Sequence, residues 1–130
     1  MDGKEAISIL NISSKNAYTQ LTKIPSNIGD KAAVTKITQF MAVHFSKDGI
    51  RLNELAPGFF LTDQNRTLLT TAEGKLTPRG NTIIGQTPMG RFGEPDDLIG
   101  TTLWLCGEGA SFVTGVVIPI DGGFSAFSGV

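Results

Sequence analysis

The sequence predicts an α/β fold: a parallel sheet of about three strands with crossover helices and a loop-rich lid. Three observations carry this. Short runs of β-branched and other apolar residues alternate with stretches of helical length and periodicity. Their order is strand, helix, strand, irregular segment, helix, strand, as parallel strands joined by crossovers require. Gly and Pro punctuate each boundary.

The first strand is the run Ala6-Ile7-Ser8-Ile9-Leu10-Asn11-Ile12, closed by Ser13-Ser14. Pro25-Ser26 opens a helix that runs to about Phe45, with Ala33, Ile37, Phe40, Met41 and His44 predicted to form its packed face. Asp48-Gly49 stops it, and a second strand from Ile50 to Leu55 ends at Ala56-Pro57-Gly58. The segment 59–93 holds Gly74, Gly80, Gly85, Gly90 and Gly93 and reads as the lid, with a short helix from Thr77-Pro78 to Ile84. Glu94-Pro95-Asp96-Asp97 starts the next helix, acidic where the macrodipole favours it, and that helix ends near Gly107. The last strand is Val116 to Ile120, closed by Asp121-Gly122-Gly123. Parallel strands need both faces covered, and an apolar first strand at an open edge is a pairing liability. The sheet therefore reads as part of a larger one.

Composition bounds the rest. At 130 residues the chain is one domain, 1–130. Its eleven Lys and Arg are scattered and its net charge is −1, so no nucleic-acid partner is expected. Apolar runs such as 113–120 are too short to span a bilayer, and no membrane association is expected. The first five residues lack an apolar signal core. A single cysteine, Cys106, fits a reducing cytoplasm and reads as a buried helix thiol beside Leu103 and Leu105. His44 stands without a Cys/His cluster, so a packed ring is expected and a metal site is not.

The chemistry-bearing residues come in a fixed order. Ser14 is followed seventeen residues on by Lys31, then by Asn53-Glu54-Leu55-Ala56-Pro57-Gly58 and finally by Asp121-Gly122-Gly123. Each piece alone is a common turn or helix residue. In this order and spacing they resemble the C-terminal half of a short-chain dehydrogenase/reductase, over nearly the whole chain. The segments 57–62, 64–66 and 87–95 look most like the D-mannonate (fructuronate) oxidoreductase branch.

That resemblance implies a partial Rossmann-type sheet and hydride transfer between NAD or NADP and the hydroxyl or carbonyl of a sugar acid or similar substrate. In the resembled family a serine orients the carbonyl oxygen and a tyrosine passes the proton. A lysine one helical turn later binds the cofactor ribose and lowers the phenol pKa. Ser14 and Lys31 match the serine and the lysine; the tyrosine position is Asn27. A carboxamide can hold a ligand but does not titrate near neutral pH. Tyr18, the one tyrosine, lies in the loop after Ser14, outside the turn that Lys31 controls. The resemblance further places Lys31, Pro57, Gly58, Phe60 and Thr62 at the cofactor. Lys15, Asn16, Gln64, Asn65 and Arg66 fall at the substrate. No glycine-rich strand-turn-helix for a dinucleotide lies in these residues.

Three readings stay open at this point. Ser14 and Lys31 could equally be a turn residue and a solvated helix lysine. Glu54, in a strand expected to be buried, either reaches Lys31 or another cation, or lies in a strand more exposed than in the resembled enzymes. Arg66, Arg79 and Arg91 could each grip a sugar-acid carboxylate, Arg66 best. The expectation is an oxidoreductase by family, truncated and with little or no activity as this chain, forming homo-oligomers and paired with a missing N-terminal half. The rival is a non-enzymatic oligomeric assembly module; half of a split enzyme is the variant.

Overall fold

The computed structural model describes residues 6–13 and 26–127. In chain order these form β1 (Ile7–Ile12), α1 (Ser26–Phe45), β2 (Ile50–Pro57), α2 (Arg66–Leu69), α3 (Pro78–Gly85), α4 (Asp96–Cys106) and β3 (Val117–Ile120), with single 3-10 turns at Ser46–Asp48 and Glu108–Ala110. The three strands make one parallel sheet in the order β1-β2-β3. Ile9 pairs with Leu52, Asn11 with Glu54, and Glu54 in turn with Val117. The α/β prediction and every main element hold. The sequence pattern missed α2, which is a single helical turn.

β2 is central, and its middle residues 52–55 are all buried. Side chains alternate across it. Glu54 faces α1, where it meets Thr38, while Arg51, Asn53 and Leu55 face the α4 side. Both crossovers therefore step in the same direction along the sheet but lie on opposite faces, so they have opposite hands. With the β1–α1–β2 unit right-handed, as nearly all such units are, the β2–α4–β3 unit is left-handed. Its long connection, residues 58–95, gives the chain the slack to cross the end of the sheet before α4 starts.

The packed face predicted for α1 is corrected. Thr38 and Ala42 are the buried residues, with Met41 and Phe45 partly covered, whereas Ile37 is 57% and Phe40 71% exposed. The reason lies in the composition of the helix. Apolar residues occur on every side of α1, so periodicity does not single out the face that meets the sheet. His44, expected to be packed, is exposed, its ring stacked 6.0 Å from Phe40 and edge-on at 4.9 Å to Phe45 on the outer side of the helix.

α4 is held by its C-terminal end. The Leu105 carbonyl accepts from Ser8 Oγ at 3.1 Å and from Arg51 Nη1 at 2.8 Å, which satisfies an otherwise orphaned helix carbonyl from β1 and β2 at once. Asn53 fastens the loop into β3, donating to the Val113 carbonyl at 3.0 Å and accepting from the Val116 N–H at 3.1 Å. Leu105, Leu55 and Ala110 form the core on this face. Cys106, predicted to be buried, is exposed. Leu105 takes the inward position, and the next residue, about 100° round the helix, turns to the surface.

Candidate active site

The candidate site lies at the C-terminal ends of the strands, where open parallel sheets place their ligands. β2 ends in Pro57-Gly58, and the Gly58 N–H donates to the Ile120 carbonyl at 2.9 Å. Glycine is required there by packing. A Cβ on Gly58 would stand 2.5 Å from Asp121 Cβ and 2.7 Å from Asp121 Cα. The two sequence motifs Pro57-Gly58 and Asp121-Gly122-Gly123 are thus one structural contact.

The chain next forms the neck of the loop-rich segment 59–93. Phe60 pairs with Gly93 in an isolated parallel bridge, the Gly93 N–H donating to Phe59 O at 2.8 Å and the Leu61 N–H to Gly93 O at 3.3 Å. Phe60 lies against Gly93 so closely that a Cβ there would meet the ring at 2.7 Å. Asn65 braces the turn that follows, its Oδ1 accepting from the Thr62 N–H and its Nδ2 donating to Phe60 O, each at 2.8 Å. Among the described residues, no acceptor meets the Phe60 N–H. That is the feature a bound carboxamide would fit. Thr62, Gln64 and Arg66 are exposed on the rim, Arg66 with Asp63 3.8 Å away.

Asn27 and Lys31 occupy the first turns of α1, one turn apart along its backbone. α1 runs antiparallel to the strands that it joins, with Thr38 level with Glu54. Lys31 lies seven residues earlier, roughly 10 Å along the axis, which brings its backbone level with the Pro57 end of β2. Ser14, Lys15, Asn16 and Tyr18 lie outside the described residues. The chain reaches them from Ser13, whose N–H donates to the Leu55 carbonyl at 2.9 Å at the same end of the sheet.

Two of the open readings close differently from expectation. Glu54 is 2% exposed, so its strand is not solvated, and its Oε2 accepts from Thr38 Oγ1 at 2.6 Å. Arg91 is not free for a carboxylate ligand, since it grips Asp97 with two hydrogen bonds of 2.7 and 2.9 Å. Asp97 Oδ2 also accepts from the Glu94 N–H at 2.8 Å. The Arg91 hydrogen bonds lead in holding the Asp97 carboxyl at a pKa of about 2. Sequence reasoning missed both pairs, because a six-residue Arg–Asp spacing and a helix-to-strand Thr–Glu contact follow no local rule. Beside Arg91 and Asp97 a cavity of about 130 Å³ opens between the lid neck and β3, walled by Phe59, Phe60, Met89 and Ile120.

Comparison with known proteins agrees with this geometry. The family model described as enoyl-(acyl carrier protein) reductase matches residues 2–125. The chain belongs to the short-chain dehydrogenase/reductase family. A curated relative from Haemophilus influenzae, an uncharacterized oxidoreductase, is 57% identical over 131 residues, covering 100% of this chain and 46% of its own length. A solved Haemophilus structure, a D-mannonate oxidoreductase candidate with bound NAD, superposes with a TM-score of 0.82 at 56% identity, over 98% of this chain and 46% of that one. A gluconate 5-dehydrogenase from Burkholderia cenocepacia, solved with NADP and tartrate, gives 0.72 at 32% identity, over 92% and 45%. The chain spans about half the length of the relatives it matches. No helix among the described residues is long and apolar enough to cross a membrane.

Proposed function

We propose that this chain is the substrate- and nicotinamide-facing half of an NAD(P)-dependent oxidoreductase acting on a sugar acid, and that it has little or no turnover by itself. The observation that carries the reading is the position of Asn27. It stands one helical turn before Lys31, whose backbone is level with the Pro57 end of β2, in a chain 57% identical to an oxidoreductase. The bound relatives, one with NAD and one with NADP and tartrate, support the cofactor and substrate classes.

In this reading Pro57, Gly58, the Phe60 N–H and Thr62 face the nicotinamide, and Lys31 holds the ribose. Ser14 orients the substrate oxygen, while Lys15, Asn16, Gln64, Asn65 and Arg66 border the substrate. Asn65 does so as a brace, since both ends of its amide are already engaged in the loop. Once Arg91 is paired, Arg66 and Arg79 remain for a substrate carboxylate, and Arg66 is the one in the segment after Phe60, with Asp63 3.8 Å away. A bound nicotinamide supplies or accepts the hydride. Asn27 can donate and accept hydrogen bonds but cannot carry the proton. The test is Asn27→Tyr in a chain joined to a glycine-rich half from a relative, assayed by nicotinamide absorbance with mannonate- and gluconate-type acids. Nicotinamide-dependent turnover that rises at least about a hundredfold over the Asn27 form is expected. Equal rates would overturn the role given to this position.

A second reading, a homo-oligomeric assembly module, is favoured by exposed apolar residues on both helical faces. Val34, Ile37, Phe40 and Val43 lie at three-residue spacing on α1, and Ile99, Leu103 and Trp104 on α4. Sedimentation at low micromolar concentration decides it, a folded monomer counting against assembly.

A further inference from the structure

The cavity of about 130 Å³ beside β3 takes no part in the chemistry proposed above. All of its walls are described residues, from the segment 59–93, from α4 and from the end of β3. β3 is the sheet edge opposite β1, so the cavity lies across the sheet from Ser13 and the chain that leads on to Ser14. Phe59, Phe60, Met89 and Ile120 make its walls mostly apolar, and Arg91 and Asp97 add a polar side.

Size sets the first bound on an occupant. A dry cavity of about 150 Å³ holds benzene, so a single six-membered ring suits this one. Met89 is 66% exposed and Arg91 is exposed as well, which leaves the mouth open to a substituent on that ring.

Hydrogen-bonding capacity sets the second. A guanidinium has five N–H donors. Nη1 of Arg91 uses both of its own, on Phe92 O at 3.0 Å and Asp97 Oδ2 at 2.7 Å, and Nη2 uses one on Asp97 Oδ1 at 2.9 Å. Among the described residues nothing accepts from the Nε–H or the second Nη2–H. These two lie side by side along the other edge of the guanidinium, a fork suited to an oxygen acceptor.

Charge sets the third. Asp97 already matches the charge of Arg91, and Asp121 is a second acid in the lining. An anion would meet two aspartates and one arginine, while a cation would compete with Arg91 for Asp97. A neutral acceptor meets neither penalty.

We propose that this cavity binds an uncharged small molecule built from one apolar ring and a carbonyl-type oxygen. The ring sits among Phe59, Phe60, Met89 and Ile120, and the oxygen accepts from the open fork of Arg91. These contacts use the Phe60 ring and not its N–H, so they stand whether or not the chain takes a nicotinamide. An occupant ties the neck to β3, because Phe60 bridges to Gly93 and the Gly93 N–H donates to Phe59 O.

The test titrates the whole chain with acetophenone and follows the Met89 and Ile120 methyl signals by NMR, with toluene and benzoate as probes of the same ring. For a probe of this size a Kd on the order of 1–10 mM is expected, with saturable shifts at both methyls. At equal sub-saturating concentration toluene, which lacks the oxygen, should shift them at least about threefold less. Benzoate, which carries the charge, should shift them at least about tenfold less. At about three times Kd, acetophenone should slow exchange of the Gly93 amide about fourfold. Arg91→Lys keeps a cation for Asp97 but removes the fork, so the advantage of acetophenone over toluene should vanish while the toluene shifts persist. Methyl signals unmoved by acetophenone at about 20 mM overturn the assignment. So do benzoate shifts as large as those of acetophenone, an unchanged Gly93 amide, or an acetophenone advantage that survives Arg91→Lys. The benzoate comparison and the Gly93 exchange use the unaltered chain, so they decide the question even where the variant does not fold.

Discussion

Gly58 and Asp121 approach so closely that even a methyl group on Gly58 would overlap both the Cβ and the Cα of Asp121, at 2.5 and 2.7 Å. This contact locks the end of β2 to the end of β3, next to the Gly58 N–H to Ile120 carbonyl hydrogen bond. Backbone lies on one side of the clash, so a side-chain rotation cannot relieve it. Gly58→Ala is therefore expected to destabilise the fold by roughly 1–3 kcal/mol through overpacking. It should also disturb the edge-to-face pair of Phe59 and Phe124, whose ring centroids are 5.1 Å apart. Urea denaturation gives the energy, and the aromatic NMR shifts of the two rings report the displacement. An alanine variant as stable as the parent would mean that the strands separate more freely than this packing allows.

The Thr38–Glu54 pair predicts strong non-additivity. Both residues are buried, and their 2.6 Å hydrogen bond is the described link between α1 and the carboxyl group. Thr38→Val keeps the volume but leaves a buried acceptor without its donor, which costs about 1–3 kcal/mol. Replacing both residues, as Thr38→Val with Glu54→Leu, removes donor and acceptor together and should recover most of that loss. A double-mutant cycle by chemical denaturation measures the coupling, and strictly additive effects would show that the hydrogen bond contributes nothing.

How far these contacts could be read in advance depended on their range along the chain. The strands were legible because β-branched runs such as Ile7–Ile12 and Val117–Ile120 are local signals, and the turns because Asp48-Gly49 and Pro57-Gly58 are. The buried face of α1 was not legible, since Val34, Ile37, Phe40 and Val43 are as apolar as the residues that meet the sheet. Of the candidate site, Pro57-Gly58 and the Asn27–Lys31 turn were visible as spacing. The engagement of Asn65 and Arg91 within the lid was not, because a side chain's partner is a property of the folded loop.

Cys106 offers a simple check of the α4 orientation. Its position next to buried Leu105 invites a buried reading, yet it is exposed. A thiol reagent added to the native chain should label it within about threefold of the rate for the denatured chain, because access and not unfolding limits the reaction. Labelling that waits for global unfolding would show α4 rotated from the orientation described. The same experiment on Arg51→Ala tests the cap on Leu105. Loss of the 2.8 Å hydrogen bond at the helix end should destabilise the chain by about 1–2 kcal/mol without hiding the thiol.

The Arg91–Asp97 clamp at the end of segment 59–93 gives a pH prediction with a definite sign. Asp97 is lowered from 3.8 to about 2, first by the Arg91 hydrogen bonds and then by the Glu94 N–H. A carboxyl group whose folded pKa is depressed contributes stability in full above its unfolded value, and that contribution disappears as pH falls through the folded value. The clamp is therefore intact above about pH 4 and released between about pH 4 and 2. Both groups are solvent-accessible, so the effect on global stability is small and weakens with salt. The local consequence is expected to be larger, because Arg91 and the Glu94 N–H, both held by Asp97, flank Gly93, which bridges to Phe60. Arg91→Ala should return the Asp97 titration, followed by carboxyl NMR, most of the way toward 3.8 and should speed exchange of the Gly93 amide at neutral pH. If Asp97 still titrates near 2 without Arg91, the backbone donor alone holds it, and the lid neck does not depend on this ion pair.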